Sequence, residues 1–171
     1  MTSEEELIQT LRNAFDSYAK ELSLSFTFEE FDSTFFIQKT VLRQQYVGDI
    51  FLVLSESVVN TYMSWHSYLQ GLVFPQSSNM SSVEESQLFL EEEKKEFKEL
   101  MRRSLYISSQ QVLLALDTDT KLRSAFLHKA FEDWNTYYKP KITAIMTKVS
   151  SHWETAQKSS SQKEQQFDGY V

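Results

Sequence analysis

Cysteine is absent from this chain of 171 residues, and only three glycines and two prolines are present. Without cysteine the chain forms no disulfide, offers no thiolate ligand to a metal and has no cysteine nucleophile. Sheet proteins and enzymes that cradle phosphate groups generally use more glycine, for tight turns and close backbone approach. The scarcity of both residues favours long helices joined by few connections.

Motifs for catalysis are also missing. The chain contains neither a nucleophile elbow nor a glycine-rich phosphate loop. Its histidines, His66, His128 and His152, have no partner at metal-ligand spacing, and the Glu-x-x-His pattern of di-metal bundles does not occur. We therefore expect a protein that is not an enzyme, with no catalytic residues, no bound metal and no cofactor.

Long apolar runs are absent as well. No segment approaches the roughly 20 apolar residues that a membrane-spanning helix needs. The first six residues, Met-Thr-Ser-Glu-Glu-Glu, lack the basic and apolar regions of a secretory signal. These features predict an intracellular protein, cytoplasmic or nuclear, without a membrane span.

Charge is unevenly distributed along the chain, whose formal net charge is −7. Residues 1–33 hold eight acidic and two basic side chains, a net charge of −6, whereas residues 121–158 hold seven basic and three acidic ones, a net charge of +4. The acidic total argues against a general nucleic-acid binder, which usually carries a basic excess. The asymmetry still allows surfaces for different partners.

The most apolar long segment covers residues 33–70 and contains no proline. From Val47 onward its apolar residues recur mostly at steps of three and four, which places them on one face of a helix. We predict one long helix here, or two stacked end to end, as the hub of an all-α domain, with Gly48 inside it.

Capping boxes, in which a serine or threonine is followed three residues later by glutamate, predict three helix starts. They are Ser3 with Glu6, Thr27 with Glu30, and Ser82 with Glu85. The first precedes a helix ending near Glu21, and residues 22–26 are predicted to be an extended linker. The third precedes a helix predicted over 83–116, whose charged first half is solvated and whose apolar second half enters the core.

Phenylalanine is concentrated from the second capping box onward, at Phe28, Phe31, Phe35 and Phe36. Because buried aromatic rings dominate core packing, this cluster predicts a core where helices meet. Near the other end, a helix beginning at Lys121 should end or kink at Pro140, since proline lacks a backbone donor. The predicted fold is a single-domain all-α helical bundle of about five helices, residues 1–157, followed by a disordered tail, residues 158–171.

Two groups of residues are candidates for partner or nucleic-acid contact, because basic side chains can neutralise phosphate and aromatic rings can stack on bases. The first is a basic strip interrupted by acidic residues, and the second surrounds the proline. The members are Lys94, Lys95, Lys98, Arg102 and Arg103 in the strip, and Trp134, Tyr137, Tyr138, Lys139 and Lys141 in the second group. We favour the interpretation that the rings belong to the core and the lysines to a solvated rim, because the neighbouring acidic residues dilute the positive field.

Ser81 and Ser82 precede an acidic helix start and are candidate phosphorylation sites. A phosphate at this position would gain from the positive end of the helix dipole.

The leading functional hypothesis is a non-catalytic adaptor or subunit of a multiprotein complex. Large apolar residues on long helices, without catalytic motifs, favour docking of partner helices, as in a coiled coil. The alternative is a nucleic-acid-associated helical module that uses the basic C-terminal half. A further alternative is a small ligand carrier or enzyme with an aromatic pocket between helices.

Overall fold

The computed structural model describes residues 3–116 and 118–167, with side chains described as far as Lys158. Over these residues the chain is helical and has no strand. The helices are α1 (Glu4–Leu22), α2 (Phe28–Phe35), α3 (Ile37–Gln44), α4 (Ile50–Val73), α5 (Met80–Gln87), α6 (Glu91–Ala115), α7 (Thr120–Asp133) and α8 (Lys139–Phe167), and a π-helical segment, Trp134–Tyr138, joins α7 to α8 without a break. The predicted all-α class is confirmed, whereas the predicted number of about five helices is too low.

Helix α4 is the hub around which the other helices pack. It contacts α1, α2, α3, α5, α6 and α7, and its most extensive contact is with α6. Nine of its 24 residues are buried, among them Phe51, Leu54 and Tyr62, and Glu56 is its one charged residue. The segment 33–70, predicted to form one long helix or two stacked end to end, is divided among the end of α2, the whole of α3 and most of α4. Gly48, predicted to lie inside a helix, lies in the connection between α3 and α4.

Two of the three predicted capping boxes are confirmed. At Ser3 and Thr27 the hydroxyl accepts a backbone N–H and the glutamate three residues on accepts the cap's own N–H. The prediction of a capping box at Ser82 is wrong, because the Asn79 side chain caps the start of α5. The Ser82 hydroxyl instead donates to the carbonyl of Gly71, 2.9 Å away, and so ties α5 to the last turn of α4.

The helix predicted over 83–116 is two helices, because the chain turns between Gln87 and Glu91. Phe89 in this turn is buried, and its ring lies edge-on to that of Phe97 with centroids 4.9 Å apart. The Glu93 carboxylate accepts the backbone N–H of Leu90 at 2.8 Å and so caps the start of α6. Burial of one ring thus ends a helix that local spacing alone would continue.

Aromatic rings form the centre of the core, as predicted for three of the four phenylalanines. Phe28, Phe31 and Phe35 are buried, and ring contacts continue from Phe35 to Phe131, Trp134 and Tyr62. The prediction for Phe36 is wrong, since 57% of its surface is exposed. Phe36 occupies the junction between α2 and α3, where a left-handed backbone directs its side chain away from the core.

Pro140 does not end its helix. The Lys139 N–H donates to the carbonyl of Trp134, five residues back, as in a π-helix. Proline lacks an N–H and its ring crowds the carbonyl four residues before it, and a wider turn just before proline relieves that crowding. The π segment therefore carries the chain from α7 into α8 and positions Trp134 and Tyr138 toward the core.

The predicted boundary at Lys158 does not coincide with the end of a helix, since α8 continues to Phe167. Residues 168–171 of the predicted tail lie outside the described residues, and the disorder of the tail stays a prediction. No helix in the described part of the chain is both long enough and apolar enough to cross a bilayer.

Candidate protein-binding surfaces

The predicted basic strip lies along the first half of α6, where its cations have nearby acceptors or rings. Lys95 bonds Glu92 at 2.8 Å, Lys94 lies 3.3 Å from Glu91, Arg102 lies 3.4 Å from Glu99, and the Lys98 ammonium lies 5.7 Å from the Phe74 ring centroid. Residues 91–103 contain five acidic and five basic side chains, which sum to zero. This surface presents alternating charge instead of a positive field.

Arg103, the fifth member of the strip, joins α6 to α7. Its guanidinium pairs closely with the Asp133 carboxylate and lies 3.8 Å from the centre of the Tyr137 ring. Asp133 also accepts the hydroxyl of Tyr62, 3.3 Å away. Burial, and then the negative charge of Asp133, raise the pKa of Tyr62. These contacts give Arg103 a role in packing.

The residues predicted around Pro140 do not share one open surface. Trp134 is 6% exposed, and its ring stacks on Tyr138 with centroids 5.2 Å apart. Lys141 bonds Glu96 at 3.1 Å and lies 5.1 Å from the Tyr137 ring centre, whereas the Lys139 side chain is exposed. Trp134 and Tyr138 are thus buried in the core, and the half-buried ring of Tyr137 is the one ring of this group that lies beside Lys141.

The two candidate phosphorylation sites differ in accessibility. Ser81 is exposed, and its hydroxyl donates to the Asn79 side chain at 2.9 Å. Ser82 is half-buried, and a phosphate there would break its bond to the Gly71 carbonyl. Phosphorylation at either residue stays a prediction.

The second half of α6 presents apolar side chains on two opposite faces. Ile107 and Leu114 are buried. On the other side the exposed fractions are 51% for Leu105, 56% for Val112, 60% for Leu113 and 86% for Leu116, and we call these four residues the outer α6 face. The expectation that this half enters the core is therefore correct for one face and wrong for the other.

The outer α6 face also lacks charge. Residues 104–116 contain no acidic or basic side chain, although 24% of the whole chain is charged. From Leu105 to Leu116 the face extends about 16 Å, or three helical turns. Single exposed leucines are common on soluble proteins, but several on successive turns without an intervening charge are typical of an interaction surface.

A second surface is a groove of about 540 Å³ between α3 and α4, which the sequence analysis missed. Its walls include Phe36 at the α2–α3 junction, Lys39 and Arg43 on α3, and Asn60 and Trp65 on α4. Adjacent Phe35 and Phe36 were a possible signal in the sequence, because neighbouring residues on a helix point about 100° apart and a narrow apolar stripe takes up only one of them.

The chain shows no match in comparisons with protein-family models, with curated proteins or with solved structures. Among the described residues, no group of three or more histidine, aspartate or glutamate side chains is placed to hold a metal ion. The outer α6 face and the groove between α3 and α4 are the two candidate protein-binding surfaces.

Proposed function

We propose that this protein is a non-catalytic helical adaptor or subunit, which binds an amphipathic helix of another protein on the outer α6 face. The observation that supports this proposal is the uncharged segment 104–116, which is apolar on both sides of one helix. A surface helix needs one apolar face to pack on its own core. A second apolar face stabilises the fold little until another molecule covers it.

The absence of charge specifies the chemistry of the partner. The cores of protein interfaces are depleted in charged residues, since burying an unpaired charge costs free energy. Leu105, Val112 and Leu116 follow one another at steps of seven and four, which matches the ridge that a second helix contacts. The partner segment is therefore a helix of about three turns with leucine, isoleucine or valine on one side.

The nucleic-acid alternative has no comparable support. Lys141 and Lys148, in the basic C-terminal half, bond Glu96 and Glu93 of α6 at 3.1 and 2.8 Å. Each bond places a carboxylate beside a cation that would otherwise meet a phosphate. That alternative stays a prediction without an observation that favours it.

The experiment is affinity purification of the tagged chain from its native cells after nuclease treatment, read by quantitative mass spectrometry. The test variant is Leu105→Gln with Val112→Gln, since glutamine keeps helix propensity but removes apolar surface. The matched control is Met80→Gln with Leu90→Gln, which changes two exposed apolar residues elsewhere. We expect a stoichiometric protein that the control retains and the test variant loses by about ten-fold or more.

Three outcomes would contradict the proposal. The test variant could retain every partner of the wild-type chain, or the partner could disappear after nuclease treatment. The chain could also self-associate through this face, as measured by sedimentation of the purified protein, and a second copy would then be the occupant.

A further inference from the structure

Phe36 combines an exposed ring with a backbone conformation that disfavours it. Its φ is 56° and its ψ is 45°, in the left-handed region that glycine adopts readily and other residues rarely do. The Phe36 N–H donates to the carbonyl of Asp32 at 2.7 Å, and the Asp32 carboxylate accepts the N–H of Gln38 at 2.8 Å. The junction is therefore held in place, and neither burial nor backbone preference explains a phenylalanine here.

The charges in the groove are all of one sign. Lys39 and Arg43 are exposed and lie one helical turn apart on α3. The groove lining contains no acidic side chain, and neither cation has an ion-pair partner among the residues that the structure describes. In a chain with a net charge of −7, this is a local positive field beside an exposed aromatic ring.

The opposite wall and the floor give the groove a fixed shape. On α4, Asn60 is exposed and Trp65 is half-buried, and both line the groove. Beneath them the hydroxyls of Ser57 and Thr40 are hydrogen-bonded at 2.9 Å, which joins α4 to α3 in a buried position. A ligand would therefore meet a preformed surface with rings on both sides and cations along one edge.

We propose that this groove binds an acidic amphipathic segment of a partner protein. An apolar or aromatic side chain of the segment packs between Phe36 and Trp65, and two carboxylates bond Lys39 and Arg43. Because these two cations are about 6 Å apart along α3, the carboxylates of the segment lie three or four residues apart on a helix. The proposal rests on the proposed function only in that the chain binds proteins, since it uses a different surface.

A peptide fits this groove better than a nucleic acid does. Nucleic-acid binding gains most of its strength from several simultaneous phosphate contacts, and the groove supplies two cations. The net charge of −7 would repel a polyanion, whereas a short peptide places a few carboxylates at one spot. Charge complementarity and an aromatic anchor are also the usual features of a peptide site.

The experiment selects, from a displayed library of random 16-residue peptides, those that bind the immobilised whole chain. Peptides that also bind the charge-reversed variant, which carries both Lys39→Glu and Arg43→Glu, are removed by counter-selection. We expect the selected peptides to be enriched in aspartate and glutamate together with tryptophan, phenylalanine or leucine. Synthetic copies, followed by fluorescence anisotropy, should bind the charge-reversed variant at least about ten-fold more weakly than the wild-type chain.

Two further variants separate binding from folding and from the other surface. Phe36→Gly should weaken peptide binding by about ten-fold without lowering the thermal midpoint, because glycine accepts the left-handed backbone. Leu105→Gln with Val112→Gln should leave peptide binding unchanged. If no peptide binds the groove as expected, while the variant with Leu105→Gln and Val112→Gln loses a cellular partner, the groove proposal is overturned and the proposed function stands.

Other results would overturn the proposal. Selection could yield no binders, or binders without acidic residues, or peptides that bind the charge-reversed variant equally well. A labelled 20-residue oligothymidylate could bind the wild-type chain and lose affinity in the charge-reversed variant, which would indicate single-stranded nucleic acid. Self-association that Phe36→Gly abolishes would indicate a second copy of the chain.

Discussion

The two halves of α6 pack on the same neighbour but meet solvent in opposite ways. Residues 91–103 carry ten charged side chains, and residues 104–116 carry none. The inner face is apolar in both halves, with Phe97 and Leu100 buried in the first and Ile107 and Leu114 in the second. The difference between the halves therefore lies on the outer face.

This comparison shows where the fold is complete and where it leaves a surface uncovered. In the first half the charged outer face is solvated, and its carboxylates accept bonds from α6 itself and from α8, as Glu93 does from Lys148. In the second half the outer side chains remain apolar and exposed. Packing inside the chain explains the inner face of both halves, whereas no described part of the chain covers the outer face of the second.

The largest effect on the free energy of unfolding is expected when two substitutions on opposite faces of the second half are compared. Ile107→Ala should lower the free energy of unfolding by about 3 kcal/mol, since it leaves a cavity at a buried position. Leu105→Ala should change it by no more than about 0.5 kcal/mol, since its side chain is already exposed. Urea denaturation of the two variants measures both values. Equal destabilisation would mean that the outer face is covered within the chain.

An intermediate effect is expected at Tyr138, whose hydroxyl lies 2.7 Å from that of Ser104, the first residue of the uncharged half. Burial raises the pKa of Tyr138 to about 12, whereas an unfolded tyrosine titrates near pH 10, about its ordinary value. The unfolded state therefore loses its proton first, and the stability from this group falls as the pH rises from about 10 to about 12.

Tyr138→Phe tests this dependence. The variant should be less stable by about 1 kcal/mol at pH 7, and should lose less stability than the wild-type chain between about pH 10 and pH 12. Ser104→Ala is the control, because it removes the same hydrogen bond and keeps the buried phenol. Thermal unfolding of the wild-type chain and both variants across this pH range measures the dependence. If the stability of Tyr138→Phe falls with pH as steeply as that of the wild-type chain, the loss of stability does not come from Tyr138.

The smallest effect is expected in the charged half. The hydrogen bond from Lys148 lowers the pKa of Glu93 below its ordinary value of 4.5. A carboxyl group with a lowered pKa stabilises the fold above its unfolded pKa, and this contribution is lost as the pH falls through the folded value. Lys148→Met should therefore cost about 0.5 kcal/mol or less at pH 7, and less at pH 3. An equal cost at both pH values, measured by urea denaturation, would show that the lysine acts through packing.

Local signals predicted helix starts well where the cap and the apolar spacing agree. Ser3 begins α1 as predicted, and the helix ends at Leu22, one residue beyond the predicted end near Glu21. The break before α6 was missed because Phe89 ends α5 through burial against Phe97, a contact that appears only after the helices pack. Gly48 was assigned to a helix because the spacing on either side of it continues smoothly across the connection.

The candidate surfaces were less accessible to sequence reasoning than the helices. The apolar second half of the helix predicted over 83–116 was assigned to the core as a whole, and this prediction included Val112, Leu113 and Leu116, which are exposed. The groove was missed because Lys39, Arg43 and Trp65 are separated in sequence by up to about 26 residues, and no local pattern joins them. Residues of two helices form one surface only through the packing of α3 against α4.

The sequence by itself determined an all-helical chain without thiol chemistry, since residue composition, capping pairs and apolar periodicity act within a few residues of one another. Tertiary structure alone decided which apolar side chains remain exposed. Spacing marks a side chain as belonging to an apolar face, but its exposure depends on whether a distant helix covers it. Phe35 and Phe36 are adjacent in sequence, and the packed helices bury the first and leave the second in solvent.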